Sequence, residues 1–197
     1  MDETLPRVWL VRHGETEWSR TGKHTGRTDV SLTPEGVAAA ERLGELLGRR
    51  PYAAVWSSPS KRASDTCRLA GYADACTRRH DLAEWDYGAY EGSTTAEILA
   101  ERPGWTLFRD GCPGGEKAAD VGVRADRIIS ELRGLDGDAL LFSSAHILRV
   151  LAARWVGLAP EGGALLTLGT ASISVLGYEH DLDEPVIRYW NLVTTVI

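Results

Sequence analysis

Short apolar runs alternate along the chain with stretches in which apolar residues recur every three or four positions. Continuous runs such as 7–12 and 139–143 are typical of strands that are buried on both faces. Alternating apolar and polar residues, as in 171–178, also favour strands. The predicted strands cover residues 7–12, 53–57, 77–82, 139–143, 171–178 and 186–192.

Helices are predicted between these strands. Thr33 followed by Pro34 and Glu35 is typical of a helix start with Thr33 as the N-cap, and we expect Pro51 to end that helix. Strands that are separated by helices indicate a mainly parallel sheet with helices on both faces. The predicted helices cover residues 34–50, 59–69, 95–101, 116–133 and 145–156, and loops are expected over 84–95 and 111–115.

Length and composition are those of a soluble globular protein: 197 residues, of which 43% are hydrophobic and 25% charged. No repeat or linker divides them, so we expect a single domain over 1–197. The net charge of −6 argues against nucleic acid as a partner, and no apolar run approaches the length that spans a membrane. Because Met1-Asp2-Glu3-Thr4 begins no signal peptide and the three cysteines lack disulfide or zinc spacing, we expect a cytoplasmic protein.

The first predicted strand ends in Arg12-His13-Gly14. Ligands of open α/β folds bind at the carboxyl edge of the sheet, where this tripeptide is expected to lie. The Arg12 guanidinium matches the geometry of phosphate, the His13 ring offers a nitrogen nucleophile, and Gly14 lets the backbone approach an anion closely. The tripeptide therefore predicts phosphoryl chemistry at His13.

Three further groups of polar residues follow predicted strands: residues 57–63 with Arg62, residues 82–84 with Glu84, and Ser143-Ser144-Ala145-His146. Together with Arg12-His13-Gly14, they resemble the histidine phosphatase superfamily, also called the phosphoglycerate mutase-like family. The resemblance spans about residues 8–157, and residues 82–88 look like the acid loop of bacterial mutase-like acid phosphatases. Its other segments are His24-Thr25-Gly26 with Asp29, residues 32–36, Ser57-Ser58-Pro59 with Arg62, Ala63 and Thr66, Glu84 with Gly88 and Tyr90-Glu91-Gly92, and Gly114-Gly115-Glu116 with Arg124.

The resemblance implies a three-layer α/β sandwich with a mostly parallel sheet, and a reaction that uses no metal and no cofactor. His13 would attack phosphorus and form a phosphohistidine, with its other ring nitrogen donating to a backbone carbonyl. Arg12 and Arg62 would hold the phosphate oxygens, and Glu84 would act as general acid and then as general base.

Three more residues are expected near the phosphate: the Ser19 hydroxyl and the backbone N–H groups around Thr25 and Gly26. Two other histidines, His24 and His80, are interpreted as surface or loop residues. Among the aromatic residues of the acid loop, one or more is expected to line the pocket above the leaving group.

The sequence departs from the family pattern where a second histidine is normal. Without gaps, that histidine falls on Ser144, and His146 lies two residues later. Two positions on a helix differ by about 200°, so we expect only one of these residues to face the site. The preferred register puts Ser144 in the slot, and the alternative is a shifted turn that brings in His146. Ser144 can donate a hydrogen bond but carries no charge, so the reaction would be slowed.

The predicted function is a phosphatase of small phosphorylated metabolites. A phosphoglycerate mutase is the alternative, although such an enzyme needs extra cations, and residues 91–115 contain only Arg102 and Arg109 as basic residues. A second alternative is a weakly active or non-catalytic phosphate-binding protein, because Ser144 replaces a histidine. The strands after Ala171 offer an edge for a second copy, which leaves a homodimer as an open alternative.

Overall fold

The computed structural model of the chain describes residues 5–48 and 50–193. Residues 1–4, on which the expected absence of a signal peptide rests, lie outside them. The strands are β1 (Val8–Arg12), β2 (Ala54–Ser57), β3 (Cys76–Arg78), β4 (Ala139–Ser143), β5 (Ser172–Tyr178) and β6 (Pro185–Val193). The α-helices are α1 (Glu17–Arg20), α2 (Pro34–Leu47), α3 (Lys61–Leu69), α4 (Thr95–Glu101), α5 (Leu107–Asp110), α6 (Ala118–Leu132) and α7 (Ala145–Trp155).

The strands form one sheet in the order β3-β2-β4-β1-β5-β6. β4 pairs in parallel with β1 and with β2, and β2 pairs in parallel with β3. β5 pairs antiparallel with β1, and β6 pairs antiparallel with β5. The mainly parallel sheet and the α/β class are therefore confirmed.

Both faces of the sheet are buried at its inner strands β1 and β4, and successive residues of a strand lie on opposite faces. Leu10 and Leu141 pack on one face with residues of α6 and α7, such as Ile128. Val11 and Leu140 pack on the other face with residues of α2 and α3. This alternation is why the first and fourth strands read as continuous apolar runs, and it gives the three layers that the family resemblance implies.

Helix ends follow the capping chemistry that the sequence predicts, with small differences. The Thr33 hydroxyl accepts a hydrogen bond from the Gly36 N–H at 3.0 Å, which confirms the predicted N-cap of α2. The expectation that Pro51 ends this helix is wrong, because Gly48 takes a positive φ of 63° and ends it earlier. α6 begins at Ala118 because the Lys117 N–H is held by the Asp120 carboxylate at 2.9 Å.

A local turn decides where β3 ends. The strand predicted over 77–82 is only Cys76–Arg78, and a 3-10 turn follows at His80–Leu82. In this turn the Leu82 N–H donates to the Arg79 carbonyl at 3.1 Å, which takes the chain out of the sheet. Within the described residues, none of the helices has the length and apolar character needed to cross a bilayer.

Replacing Gly36 with alanine should destabilise the protein, because a Cβ there would collide with the Glu15 carbonyl oxygen. The collision involves backbone on both sides, so we expect a loss of about 1–3 kcal/mol in the free energy of unfolding. Urea unfolding followed by circular dichroism measures it. Gly134→Ala is the matched control, because its nearest non-neighbour atom would lie 3.5 Å away. Equal stability of the two variants would contradict the close-contact argument.

Candidate active site

His13 follows β1 at the carboxyl edge of the sheet and is fixed there by its backbone. Its N–H donates to the Ser143 carbonyl at 2.9 Å, and its carbonyl accepts from the Ala171 N–H at 3.0 Å. The ring Nδ1 lies 2.7 Å from the Gly14 carbonyl oxygen. Because a carbonyl can only accept, Nδ1 carries the proton, and Nε2 keeps its lone pair.

The surroundings of His13 keep its ring neutral. The residue is 4% exposed. Burial, together with the positive charges of Arg12 and Arg62, holds the pKa of His13 well below its usual 6.5. A buried, neutral imidazole with a free Nε2 lone pair can act as a nucleophile at neutral pH.

Two arginines lie close enough to His13 to act on its charge, but they are held differently. The Arg12 guanidinium donates to the Leu168 carbonyl. The Arg62 guanidinium is fully buried and donates to the carbonyls of Thr25 at 2.8 Å, Gly26 at 3.2 Å and Thr28 at 3.2 Å. Much of the Arg62 donor capacity is therefore used by the 25–28 loop. The Nε atoms of both arginines are buried without a hydrogen-bond partner among the described residues.

His13 opens onto a cavity of about 250 Å³, which we call the His13 cavity. Its lining combines cations, hydroxyls and one acid. The lining residues are Arg12, His13, Ser19, Gly22, Lys23, His24, Thr25, Glu84, Tyr87, Thr95, Ala145 and His146.

Glu84 is buried beside this cavity, and three backbone N–H groups orient its carboxylate. Oε1 accepts from Trp85 at 2.8 Å and from Ile147 at 2.9 Å, and Oε2 accepts from His146 at 3.0 Å. The last two donors are in the first turn of α7. Glu84 thus fills the N-terminus of that helix, where a negative charge is favoured.

The loop that carries Glu84 is held by Arg124 on α6. Its Nη1 donates to the carbonyls of Asp81 and Ala83, both at 2.8 Å, and its Nε pairs with Glu116 at 2.8 Å. Glu116 in turn accepts from the Asp86 N–H at 2.9 Å. Glu116 and Arg124, two of the residues in the later segment of the family resemblance, therefore hold the loop that carries Glu84.

Ser144 is the N-cap of α7, but its hydroxyl caps nothing. Glu84 already takes the N–H groups that an N-cap side chain would use. The Ser144 Oγ is buried and has no hydrogen-bond partner within residues 5–48 and 50–193. The N–H groups of His146 and Ile147 are therefore not free to bind a phosphate.

His146 lines the His13 cavity, whereas Ser144 is not among its lining residues. Ser144 has an extended backbone (φ −119°, ψ 172°), so the two positions are not related by the helical angle of about 200°. The His146 Nδ1 lies 2.6 Å from the Tyr87 hydroxyl and 3.8 Å from Glu84 Oε2. Burial and the charge of Arg149 hold the pKa of His146 well below 6.5, so this ring is neutral.

Other predicted phosphate contacts are partly occupied. The Gly26 N–H donates to the Glu91 carboxylate at 2.9 Å, so it is not free for a ligand. The Ser19 hydroxyl lines the cavity but donates to the Thr16 carbonyl at 2.9 Å. Thr25 lines the cavity, and its hydroxyl donates to the Lys23 carbonyl at 3.1 Å.

Sequence reasoning missed His24 as a residue of the site. Instead of lying on the surface, its ring is buried and stacks on Tyr87 with centroids 4.7 Å apart. The available signal was its position directly before Thr25-Gly26. Tyr87 meets the expectation that an acid-loop aromatic lines the pocket. Lys23 and Thr95 also line the cavity. Neither residue belongs to a sequence motif that indicated the site.

A family description, the histidine phosphatase superfamily (branch 1), matches residues 8–193. The chain belongs to this superfamily, and the predicted family and enzyme class are confirmed at that level. An acid phosphatase of Mycobacterium tuberculosis is 43% identical over 179 residues, which is 88% of this chain and 87% of that protein. A sedoheptulose 1,7-bisphosphatase of Saccharomyces cerevisiae is 36% identical over 191 residues, or 80% and 70%.

A solved structure of an open reading frame from Mycobacterium tuberculosis is similar throughout, with a TM-score of 0.87 and 39% identity over 95% of this chain and 98% of that one. The relatives also include a protein of Gloeobacter violaceus named 2,3-bisphosphoglycerate-dependent phosphoglycerate mutase 2. It is 32% identical over 168 residues, which is 77% of this chain and 76% of that protein. These names leave both phosphatase and mutase chemistry within the family.

Lowering the pH from 6.5 to 5 should reduce the free energy of unfolding. The unfolded chain binds protons on His13 and His146 in this range, whereas the native pKa of each lies well below 6.5. Each histidine should lower the free energy of unfolding by about 1.4 kcal/mol per pH unit until its native pKa is reached. Urea unfolding at several pH values measures the slope.

In that experiment His146→Gln should reduce the slope, and His80→Gln, which changes an exposed ring, is the control. Identical slopes in the wild type and in His146→Gln would show that His146 is not buried as a neutral ring.

Proposed function

We propose that the protein is a metal-independent phosphomonoesterase that acts on small phosphorylated metabolites through a phosphohistidine at His13. The observation that carries this proposal is the hydrogen bond from His13 Nδ1 to the Gly14 carbonyl at 2.7 Å. It leaves Nε2 as the nucleophile, in a cavity that also holds Arg12 and Glu84. The cavity volume of about 250 Å³ suits a small substrate.

In the first step His13 Nε2 attacks phosphorus, and the bond from phosphorus to the ester oxygen breaks. Glu84 gives its proton to the departing oxygen, so the alcohol leaves neutral. Arg12 and Arg62 supply positive charge to the equatorial oxygens, where charge spreads in a loose transition state. The Gly14 carbonyl continues to accept from Nδ1, which stabilises the positive charge on the phosphorylated ring.

In the second step a water molecule attacks the phosphohistidine. The Glu84 carboxylate takes a proton from this water, and the bond between phosphorus and Nε2 breaks. Inorganic phosphate leaves, and His13 returns to the neutral form with its proton on Nδ1. The three N–H donors to Glu84 keep its carboxylate in place through both steps.

The surroundings of the cavity favour hydrolysis over a mutase reaction. A mutase must bind a second anionic group, which requires further cations. Arg109 pairs with Asp110 at 2.8 Å, Arg102 lies 3.7 Å from the same carboxylate, and neither residue lines the His13 cavity. Besides Arg12, the cavity lining has Lys23 as a cationic residue.

Phosphatase activity is tested with p-nitrophenyl phosphate in the presence of EDTA. We expect turnover by the wild type, and a loss of at least about 10³-fold in His13→Gln, because removing a nucleophile typically has an effect of this size. Rapid acid-free quenching with ³²P-labelled substrate should trap a phosphoenzyme that is stable to base and labile to acid. His80→Gln, exposed and outside the cavity, is the matched control.

Turnover that disappears with EDTA, or that survives in His13→Gln, would overturn the proposal. Transfer of phosphate from 2,3-bisphosphoglycerate to 3-phosphoglycerate at a rate above hydrolysis would favour the mutase instead.

Replacing Ser144 with histidine should raise turnover about 5- to 150-fold. A bound phosphate dianion favours a protonated ring, and a charged donor is worth about 1–3 kcal/mol more than a hydroxyl at the transition state. Ser144→Ala is the companion variant. The Ser144 Oγ has no partner within the described residues, so its removal should leave the free energy of unfolding nearly unchanged. A fall in kcat without a fall in stability would then support contact between this hydroxyl and the phosphoryl group. A well-folded Ser144→His without any gain would contradict the register.

A further inference from the structure

Two of the three cysteines come together away from the His13 cavity. Cys67 lies near the end of α3, and Cys76 begins β3, next to Val55 of β2. The chain between them turns back tightly, since the Tyr72 N–H donates to the Cys67 carbonyl at 3.1 Å. The two thiols lie within hydrogen-bonding reach of each other.

Both thiols line one cavity of about 320 Å³, which shares no residue with the His13 cavity. Cys67 is 1% exposed, whereas Cys76 is half-buried, so Cys76 is the more accessible residue of the two. Arg68 and Arg78 line the same cavity and make it electropositive, against the single acid Asp65. A partly exposed sulfur beside a cation is the environment in which a thiol becomes reactive.

The three thiols differ in acidity in the way this geometry requires. The hydrogen bond from Cys67 and the charge of Arg78 lower the pKa of Cys76 to about 7. The same hydrogen bond and burial raise the pKa of Cys67, which therefore stays a thiol. Burial raises the pKa of Cys112 to about 12. Cys112 is thus an internal control in the same molecule.

We propose that Cys67 and Cys76 form a redox-active thiol pair, a modification site at which hydroperoxides are reduced and a disulfide forms between α3 and β3. Cys76 is the attacking residue, because it is the more exposed of the two and shares the cavity with Arg78, and the buried Cys67 is the resolving residue. The inference is independent of the phosphatase proposal, since neither sulfur touches the His13 cavity.

The reaction takes place in two steps. The Cys76 thiolate attacks one oxygen of hydrogen peroxide, the O–O bond breaks, and a sulfenic acid forms. The leaving hydroxide takes up the proton that the Cys76 thiol gave to solvent on ionisation and departs as one water. The Cys67 sulfur then attacks the Cys76 sulfur, and the S–O bond breaks. The hydroxyl group leaves as a second water with the proton of the Cys67 thiol. Two thiols lose two electrons in total, and the peroxide gains them.

The sequence makes the product easy to identify. Trypsin cleaves after Arg62, Arg68 and Arg78, which puts Cys67 in peptide 63–68 and Cys76 in peptide 69–78. Hydrogen peroxide followed by blocking of free thiols should give a linked pair of these two peptides in the monomer band of a non-reducing gel. Dithiothreitol should separate them. Before oxidation, iodoacetamide at pH 7.5 should label Cys76 at least about tenfold faster than Cys112.

Two variants separate the roles. In Cys67→Ser, peroxide should leave a sulfenic acid on Cys76 that dimedone traps, because the resolving sulfur is gone. In Cys76→Ser, Cys67 should remain reduced under the same treatment. Labelling of Cys76 no faster than that of Cys112 would overturn the proposal. So would peroxide treatment that gives no linked peptides within the monomer, or a linked product only between molecules.

Discussion

The parallel pairing of β1 and β2 with β4 is the constraint on which the site depends. Strands that run in the same direction end at the same edge of the sheet, so residues far apart in the chain become neighbours. His13 after β1 thereby bonds to the Ser143 carbonyl at the end of β4 at 2.9 Å. The apolar residues of these strands bury both faces, which makes the position of the edge rigid.

Competition for the N-terminus of α7 shapes the chemistry of the site. Glu84 takes the N–H groups of His146 and Ile147, and this fixes the acid at the edge of the His13 cavity. The same occupation leaves the Ser144 hydroxyl without an intramolecular partner among the described residues. One helix start therefore orients the Glu84 carboxylate and leaves the buried Ser144 hydroxyl unused as a cap.

Burial sets the charge states in the cavity. The rings of His13 and His146 are neutral because desolvation and the charges of nearby arginines both disfavour a protonated imidazole. The Tyr87 hydroxyl oxygen lies 2.6 Å from His146 Nδ1. Because burial raises the pKa of Tyr87 well above 10, the phenol keeps its proton and is the donor of this hydrogen bond. The positive charge of the cavity lining therefore comes from Arg12 and Lys23.

The sequence by itself determined the strands and the longer helices, because apolar periodicity and caps such as Thr33 are local properties, but it did not indicate the four-residue helices α1 and α5. It also indicated His13, Arg62 and Glu84 as residues of one site, since each follows a strand that was expected to end at the same edge. Only the tertiary structure decided that the Arg62 guanidinium donates to the 25–28 loop. It also decided that the His24 ring stacks on Tyr87 and that His146 lines the His13 cavity. These outcomes depend on which distant groups compete for the same hydrogen bonds, and residue type and spacing carry no record of that competition.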